Sequence, residues 1–134
     1  MRCAKAIADL SYAERKKVGA ILVSGGDGHG IIAEGYNGTP AGFDNVCEYR
    51  GVGDPSPLIT KTEVLHAESN AIAKVAKSTN SSRGSTLYVT CSPCFECSKM
   101  IIQAGIKRVV YEEEYRLTEG LALLRKAKIE VEKL

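Results

Sequence analysis

Apolar and polar positions fall in distinct blocks along the 134 residues, and each block has its own period. Residues 3–10 are Ala-rich and predict a short helix. Residues 18–23 are continuously apolar and predict a buried strand. Ser24 to Gly30 is turn chemistry, with His29 read as solvated. The apolar pattern resumes over 31–33, so these two strands form an antiparallel hairpin. Residues 37–61 read as irregular, with Gly38, Pro40, Gly42, Gly51, Gly53, Pro55 and Pro57. A structureless segment of that length inside a compact domain is usually functional. Residues 65–76 predict a helix, 85–90 a strand and 93–104 a helix, with Pro93 in its first turn and Gly105 just past its end. Residues 107–111 predict a strand. Leu117, Leu121 and Leu124 share one face of a further helix, and 129–131 close the chain with a strand. The order α-β-β-α-β-α-β-α-β implies right-handed crossovers and parallel strands in the second half. The expected fold is α/β: a three-layer α-β-α sandwich around a mixed five-stranded sheet, in one domain spanning 1–134.

Composition narrows the class. With 44% apolar and 25% charged residues, the chain reads as globular, not disordered, collagenous or coiled-coil. Its apolar runs are far shorter than the ~20 residues that span a bilayer. No apolar signal stretch follows Met1-Arg2-Cys3-Ala4-Lys5, so a cytoplasmic protein is expected. A net charge of +2 does not support a nucleic-acid partner, yet it is compatible with a phosphorylated small ligand. Five cysteines without a secretory signal point to metal ligands or buried thiols instead of disulfides.

Three of those cysteines crowd together as Cys91, Cys94 and Cys97. Cys94 and Cys97, three apart at a helix start, share a face of the first turn. Unpaired N–H groups and the dipole there favour thiolates, the form that binds metal. His66 opens the preceding helix, and a βαβ arrangement brings both helix starts to one sheet edge. Two sulfurs and an imidazole suit tetrahedral Zn²⁺, and three protein ligands leave the open position of a catalytic site. Glu68 then faces the metal as a proton shuttle, because His66 has not yet entered the helical register. A structural zinc knuckle with Cys91 as fourth ligand is the alternative, and it leaves Glu68 unexplained. Cys91 otherwise reads as a small buried side chain, and Cys3 and Cys47 as plain thiols. Arg15, Lys16 and Lys17 are candidate cations for a substrate phosphate, and they read equally as a solvated charge run.

The pattern His66-Ala67-Glu68 followed by Pro93-Cys94-Phe95-Glu96-Cys97 resembles the zinc-dependent cytidine deaminase superfamily. Gly35-Tyr36-Asn37-Gly38-Thr39-Pro40-Ala41-Gly42, joined to His66-Ala67-Glu68-Ser69-Asn70-Ala71-Ile72, is similar to the deoxycytidylate (dCMP) deaminases of the short kind that phages carry. The likeness covers nearly the whole chain and implies a cytidine deaminase-like fold. It implies one catalytic Zn²⁺ on His66, Cys94 and Cys97, with Glu68 relaying protons while an activated water attacks C4 of cytosine. It further implies that Asn37 meets the deoxyribose 3′ hydroxyl, that Tyr115 stacks on the pyrimidine, and that the backbone near Ala67 and Ser92 receives the departing amine. Read from the residues alone, Asn37 is a turn residue tolerant of positive φ, and Tyr115 a solvated aromatic beside Glu112-Glu113-Glu114. The resemblance implies a homo-oligomer, commonly a hexamer, activated by dCTP and inhibited by dTTP, each bound with Mg²⁺. Gly35, Tyr36, Gly38, Lys74 and Lys77 are the effector candidates; the two lysines read equally as a solvated helix face. Some phage relatives carry a second, structural zinc on extra His and Cys before the first motif; residues 37–65 hold only Cys47, so one zinc is expected. The competing readings are a deaminase of another substrate, such as tRNA adenosine or free cytidine, and a zinc-stabilised regulatory subunit.

Overall fold

The computed structural model describes residues 1–26 and 30–134; the expectation for His29 lies outside the described residues. The elements are α1 (Arg2–Ala8), β1 (Gly19–Val23), β2 (Ile31–Tyr36), β3 (Glu48–Arg50), β4 (Leu58–Thr60), α2 (Ala67–Ala76), β5 (Thr86–Cys91), α3 (Phe95–Gln103), β6 (Arg108–Glu113), α4 (Glu119–Lys126) and β7 (Glu130–Lys133). Five strands make one mixed sheet in the order β2-β1-β5-β6-β7. β1 pairs antiparallel with β2 on one side and β5 on the other. β5, β6 and β7 run parallel, as strand–helix–strand units require.

Side-chain alternation along β1 assigns the helices to faces. Ala20 and Leu22 face Val89 and Leu87 of β5 and join the main core with Ala71, Ile101, Leu121 and Leu124, so α2, α3 and α4 cover that face. Gly19 points the other way, and a methyl there would stand 2.1 Å from the Ala4 carbonyl oxygen, so α1 lies on the opposite face. The third layer of the sandwich is therefore α1 alone among the described residues. No helix among the described residues is long and apolar enough to cross a membrane.

Three features depart from the sequence reading. Residues 37–61 are not structureless: β3 and β4 pair as a small antiparallel ribbon, Glu48 opposite Thr60. Three-residue strands are too short to register as a period. Leu117 precedes α4 and is half exposed, because Thr118 is the N-cap and only Leu121 and Leu124 reach the core. α2 and α3 begin at Ala67 and Phe95, inside the expected 65–76 and 93–104, and the extended N-cap at His66 is the departure from helical register that the sequence reading expects there.

Candidate active site

The N-caps of α2 and α3 meet. His66 has φ −75° and ψ 156°, an extended conformation that turns its ring away from the helix surface. Its Nδ1 stands 3.5 Å from Cys94 Sγ and 3.4 Å from Cys97 Sγ. Bond lengths of about 2.3 Å to sulfur and 2.0–2.1 Å to nitrogen, at a tetrahedral angle, set a sulfur–nitrogen edge of about 3.6 Å. The donors therefore already sit at zinc spacing, and all three lie within 4.8 Å of one another. Cys94 accepts the Cys97 N–H at 3.4 Å, as an N-cap should. Its carbonyl accepts the Ser98 hydroxyl at 2.9 Å, which fixes the turn that carries both sulfurs.

The electrostatics fit a metal site. The Cys94 thiol is held down to about 3, first by its hydrogen bond with Cys97 and then by His66. The same hydrogen bond to Cys94, with burial, pushes the Cys97 thiol up. The imidazole of His66 is pushed up chiefly by its hydrogen bond with Cys94. One thiolate, one thiol and an imidazole share a proton-rich contact, and a divalent cation replaces those protons with a net gain in charge balance. Among the described residues this is the one such cluster of three metal-ligating side chains. Cys91 is outside it: its sulfur accepts the Lys16 ammonium at 3.3 Å, and burial pushes its thiol up.

Glu68 lies on the first turn of α2, 4% exposed. Burial pushes its carboxyl up to about 6, so it can hold or release a proton near neutrality. Glu68, His66 and Cys94 open on one cavity of about 420 Å³, a size that takes a single small molecule.

The other expected site residues gather around the same cavity. Asn37, Ala67, Ser92 and Tyr115 line it. The Asn37 amide donates to Lys16 O at 2.8 Å, while its carbonyl oxygen accepts the Val18 N–H at 2.8 Å. Asn37 thus braces the 16–18 backbone, and its φ is not positive. The Ser92 hydroxyl accepts the Tyr115 N–H at 2.7 Å, so the strand end after β5 sets where Tyr115 sits. Arg15 and Lys16 line the cavity, and Lys17 does not; its ammonium donates to Asp9 O at 3.4 Å. The effector candidates lie elsewhere. Gly35 is buried beneath α2 and presents no free surface. Lys74 pairs with Glu34 at 2.8 Å and stands 5.9 Å from the centre of the Tyr36 ring. Gly38 bridges to Leu65, and Lys77 is the exposed C-cap of α2.

Sequence reasoning missed four contributors. Glu48, Thr60 and Arg116 line the cavity, and through Glu48 and Thr60 the 37–61 segment reaches the site. Gly120 is the fourth: a methyl there would meet Pro93 O at 2.4 Å and Ser98 Oγ at 2.8 Å, so its bareness seats α4 against the cysteine turn. A glycine inside a helix is costly, which is a signal of close approach.

Residues 1–113 match the family described as the cytidine and deoxycytidylate deaminase zinc-binding region. The deoxycytidylate deaminase of Mycobacterium phage D29 is 41% identical over 119 residues, covering 83% of this chain and 89% of that protein. That of Enterobacteria phage T4 is 36% identical over 135 residues, covering 74% of this chain and 68% of that protein. The dCMP deaminase of cyanophage S-TIM5, in complex with dCMP and dUMP, superposes with a TM-score of 0.87 at 48% identity over 99% of this chain and 92% of that one. Donor spacing, fold and whole-chain similarity agree: the chain belongs to the cytidine and deoxycytidylate deaminase family.

Proposed function

We propose that this chain hydrolyses dCMP to dUMP and ammonia, in the cytoplasm of the cell that makes it. One observation carries the reading: a zinc-spaced His66–Cys94–Cys97 cluster opens through His66 and Cys94, beside a buried Glu68, on one mononucleotide-sized cavity. The fold around it follows that of a dCMP deaminase over 99% of the chain. His66, Cys94 and Cys97 would hold one Zn²⁺, which when bound supplies the Lewis acidity that activates water near pH 7. Glu68 takes a proton from the water that attacks C4 and delivers it to ring N3. It then takes the proton of the hydroxyl formed at C4 and passes it to the exocyclic amine, which leaves as ammonia as the C4 carbonyl forms. A carboxyl set at about 6 suits both directions of transfer, and such acid–base help is worth ~10²–10⁴ in rate. Tyr115, anchored through Ser92, stacks on the pyrimidine. The backbone at Ala67 and Ser92 receives the amine, and the amide hydrogen that Asn37 has left over meets the 3′ hydroxyl.

The finer reading extends to control. It adds a homo-oligomer, commonly six chains in this family, activated by dCTP and inhibited by dTTP with Mg²⁺. The pairing of Lys74 with Glu34 beside Tyr36, on the open edge of β2, supports an effector patch with Gly38 and Lys77. Gly35 would act there only as the seat of α2.

Ammonia release from dCMP, cytidine, dCTP and tRNA, with and without Glu68→Gln, tests the proposal. Turnover should be confined to dCMP, and Glu68→Gln should keep zinc while losing at least ~10²-fold in kcat. A variant that retains more than a tenth of wild-type activity removes Glu68 from its role. Preferred turnover of another substrate replaces the dCMP assignment.

A further inference from the structure

Ser69 and Asn70 follow the proton shuttle in the chain, and both bond to the residue that carries the nitrogen ligand. The His66 carbonyl accepts the Asn70 N–H at 3.0 Å and the Ser69 hydroxyl at 2.8 Å. The Asn70 side chain reaches outside the helix: its amide donates to Tyr36 O at 3.0 Å, 34 positions earlier. Tyr36 ends β2, which is an edge of the sheet, and Asn37 follows it. A second link lies on the far side of Asn37. The Gly38 N–H donates to Leu65 O at 3.1 Å, and the Leu65 N–H donates to Gly38 O at 2.8 Å. Leu65 immediately precedes His66. Asn37 and His66 are therefore inner residues of two segments cross-linked on both sides.

Asn37 itself has little freedom. Its carboxamide stands in for a rung of the sheet: Oδ1, not the backbone oxygen, accepts the Val18 N–H at 2.8 Å, while the Asn37 N–H donates to Val18 O at 3.1 Å. Nδ2 donates to Lys16 O at 2.8 Å. A planar carboxamide held at both ends cannot rotate, so the direction of its remaining N–H follows the position of the Asn37 backbone. Two side chains hold that backbone. Ser11 donates its hydroxyl to Asn37 O at 2.7 Å, and the same hydroxyl accepts the Ala13 N–H at 3.2 Å, so it also shapes its own loop. Among the described residues the Asn70 amide bonds to Tyr36 O alone.

We propose that Asn70 is a positioning residue for Asn37 and through it sets the preference for a sugar that bears a 3′ hydroxyl. The inference rests on the deaminase reading for the contact between Asn37 and that hydroxyl. Without the Asn70 bond the end of β2 loses its side-chain tie to α2, while His66 and Glu68 stay with the helix. Asn37 then shifts relative to the proton shuttle, and sugar recognition is lost ahead of the chemistry at the base.

Steady-state kinetics of the zinc-loaded enzyme on dCMP and on 2′,3′-dideoxycytidine 5′-monophosphate test it, in wild type, Asn70→Asp and Asn70→Leu. An aspartate in the first turn of α2 suits the helix N-terminus, and a leucine is a good helix former, so both variants should fold. Neither can donate to Tyr36 O. Wild type should prefer dCMP by at least about fivefold in kcat/KM, the worth of one hydrogen bond to the sugar. Both variants should bring that ratio to within about twofold of unity, with the dideoxy substrate losing far less than dCMP. The proposal is overturned if Asn70→Leu leaves the ratio at its wild-type value. It is also overturned if both variants depress the two substrates alike, which is what a purely structural role would do. Calorimetric binding of the two nucleotides to the same variants in the Glu68→Gln background separates this from the deaminase reading. If nothing is deaminated but Asn70→Leu erases the preference for the 3′ hydroxyl in binding, the reaction assignment fails and the positioning role stands. If wild type binds the two nucleotides equally, the positioning role fails.

Discussion

Replacing Gly35 by Ala adds one methyl where β2 meets α2, and the consequences reach the metal ligands. That methyl would stand 2.2 Å from the Ala67 carbonyl oxygen, 2.6 Å from the Ala71 nitrogen and 3.1 Å from the Ala71 Cβ. Contacts of a Cβ below 3.0 Å essentially do not occur, so α2 must retreat by at least the 0.8 Å between 2.2 and 3.0. The obstacle is backbone, which cannot swing aside as a side chain would. Overpacking of this kind costs about 1–3 kcal/mol, and the upper end applies here. Stiffening of the unfolded chain by Ala returns about 0.4–1 kcal/mol. The net loss is about 2 kcal/mol, or roughly 8 °C in Tm for a domain of this size. Because His66 caps α2 and Glu68 lies in its first turn, its retreat also misplaces a ligand and the proton shuttle by nearly 1 Å, a displacement that can cost about 10²-fold in rate.

Gly19→Ala is the matched comparison. Its methyl would stand 2.1 Å from Ala4 O and 2.5 Å from Ala8 N, the same strain imposed on α1 across the sheet. Thermal melts and dCMP kinetics on both variants should show similar losses of Tm, with kcat falling about 10²-fold in Gly35→Ala and less than about tenfold in Gly19→Ala. Equal loss of kcat in the two variants would mean that general softening, not displacement of α2, governs activity. A Gly35→Ala protein with wild-type Tm and kcat would refute the packing argument outright.

Three further outcomes follow from the site's electrostatics. Elemental analysis should find one zinc per chain in wild type and close to none in Cys94→Ala, whose Tm should fall because the two helix starts lose their shared ion. In chelated protein at pH 6, iodoacetamide should label Cys94, whose thiol is held at about 3, ahead of Cys47 and Cys91, whose thiols burial pushes up; peptide mass spectrometry reads the order, and added zinc should block it. Glu113 is held below the usual carboxylate range by Lys16, and Lys16 is raised by Glu113. Their mutual stabilisation is therefore present above the unfolded carboxyl value of about 4.3 and lost as pH falls through the lower folded value. At the alkaline end it is fully present below about 10.4 and lost as pH rises through the raised lysine value. Both side chains are well exposed, so urea unfolding should show Glu113→Gln costing less than about 1 kcal/mol at pH 7 and progressively less as pH falls below about 4.3.

What was legible in the chain follows from locality. The continuous apolar run at 18–23 and the alternation before Cys91 declared strands, because burial on a sheet is written at a period of two. His66 and Glu68, and Cys94 and Cys97, were legible as a site because their short spacings already fix relative placement at a helix start. Sheet order was less accessible: β1 sits between β2 and β5, and its pairing with β5 joins residues more than 60 positions apart. Glu48 was illegible for the same reason. It stands alone in a Gly/Pro-rich stretch and looks solvated, but its amide partners are 33 and 34 residues earlier. Lys16 looked like part of a free charge run until Glu113, 97 positions away, was found against it.

Two glycines explain why a site built on helix caps can be rigid. An N-cap is the least constrained part of a helix, since its backbone bonds are only half made. Here each cap is pinned by a backbone approach that no side chain could permit. Gly35 lets α2 sit against β2 directly behind Ala67, and Gly120 lets α4 sit against Pro93 and Ser98 directly behind Cys94. The Ser98 hydroxyl closes that second contact on Cys94 O, and Ser92 extends it to Tyr115. The spacing of the three donors is therefore set by sheet and helix packing before any ion arrives, and binding need not order the caps. Preorganisation of that kind rests on the glycine contacts, which is why a single methyl behind Ala67 or Cys94 should be felt at the ligands.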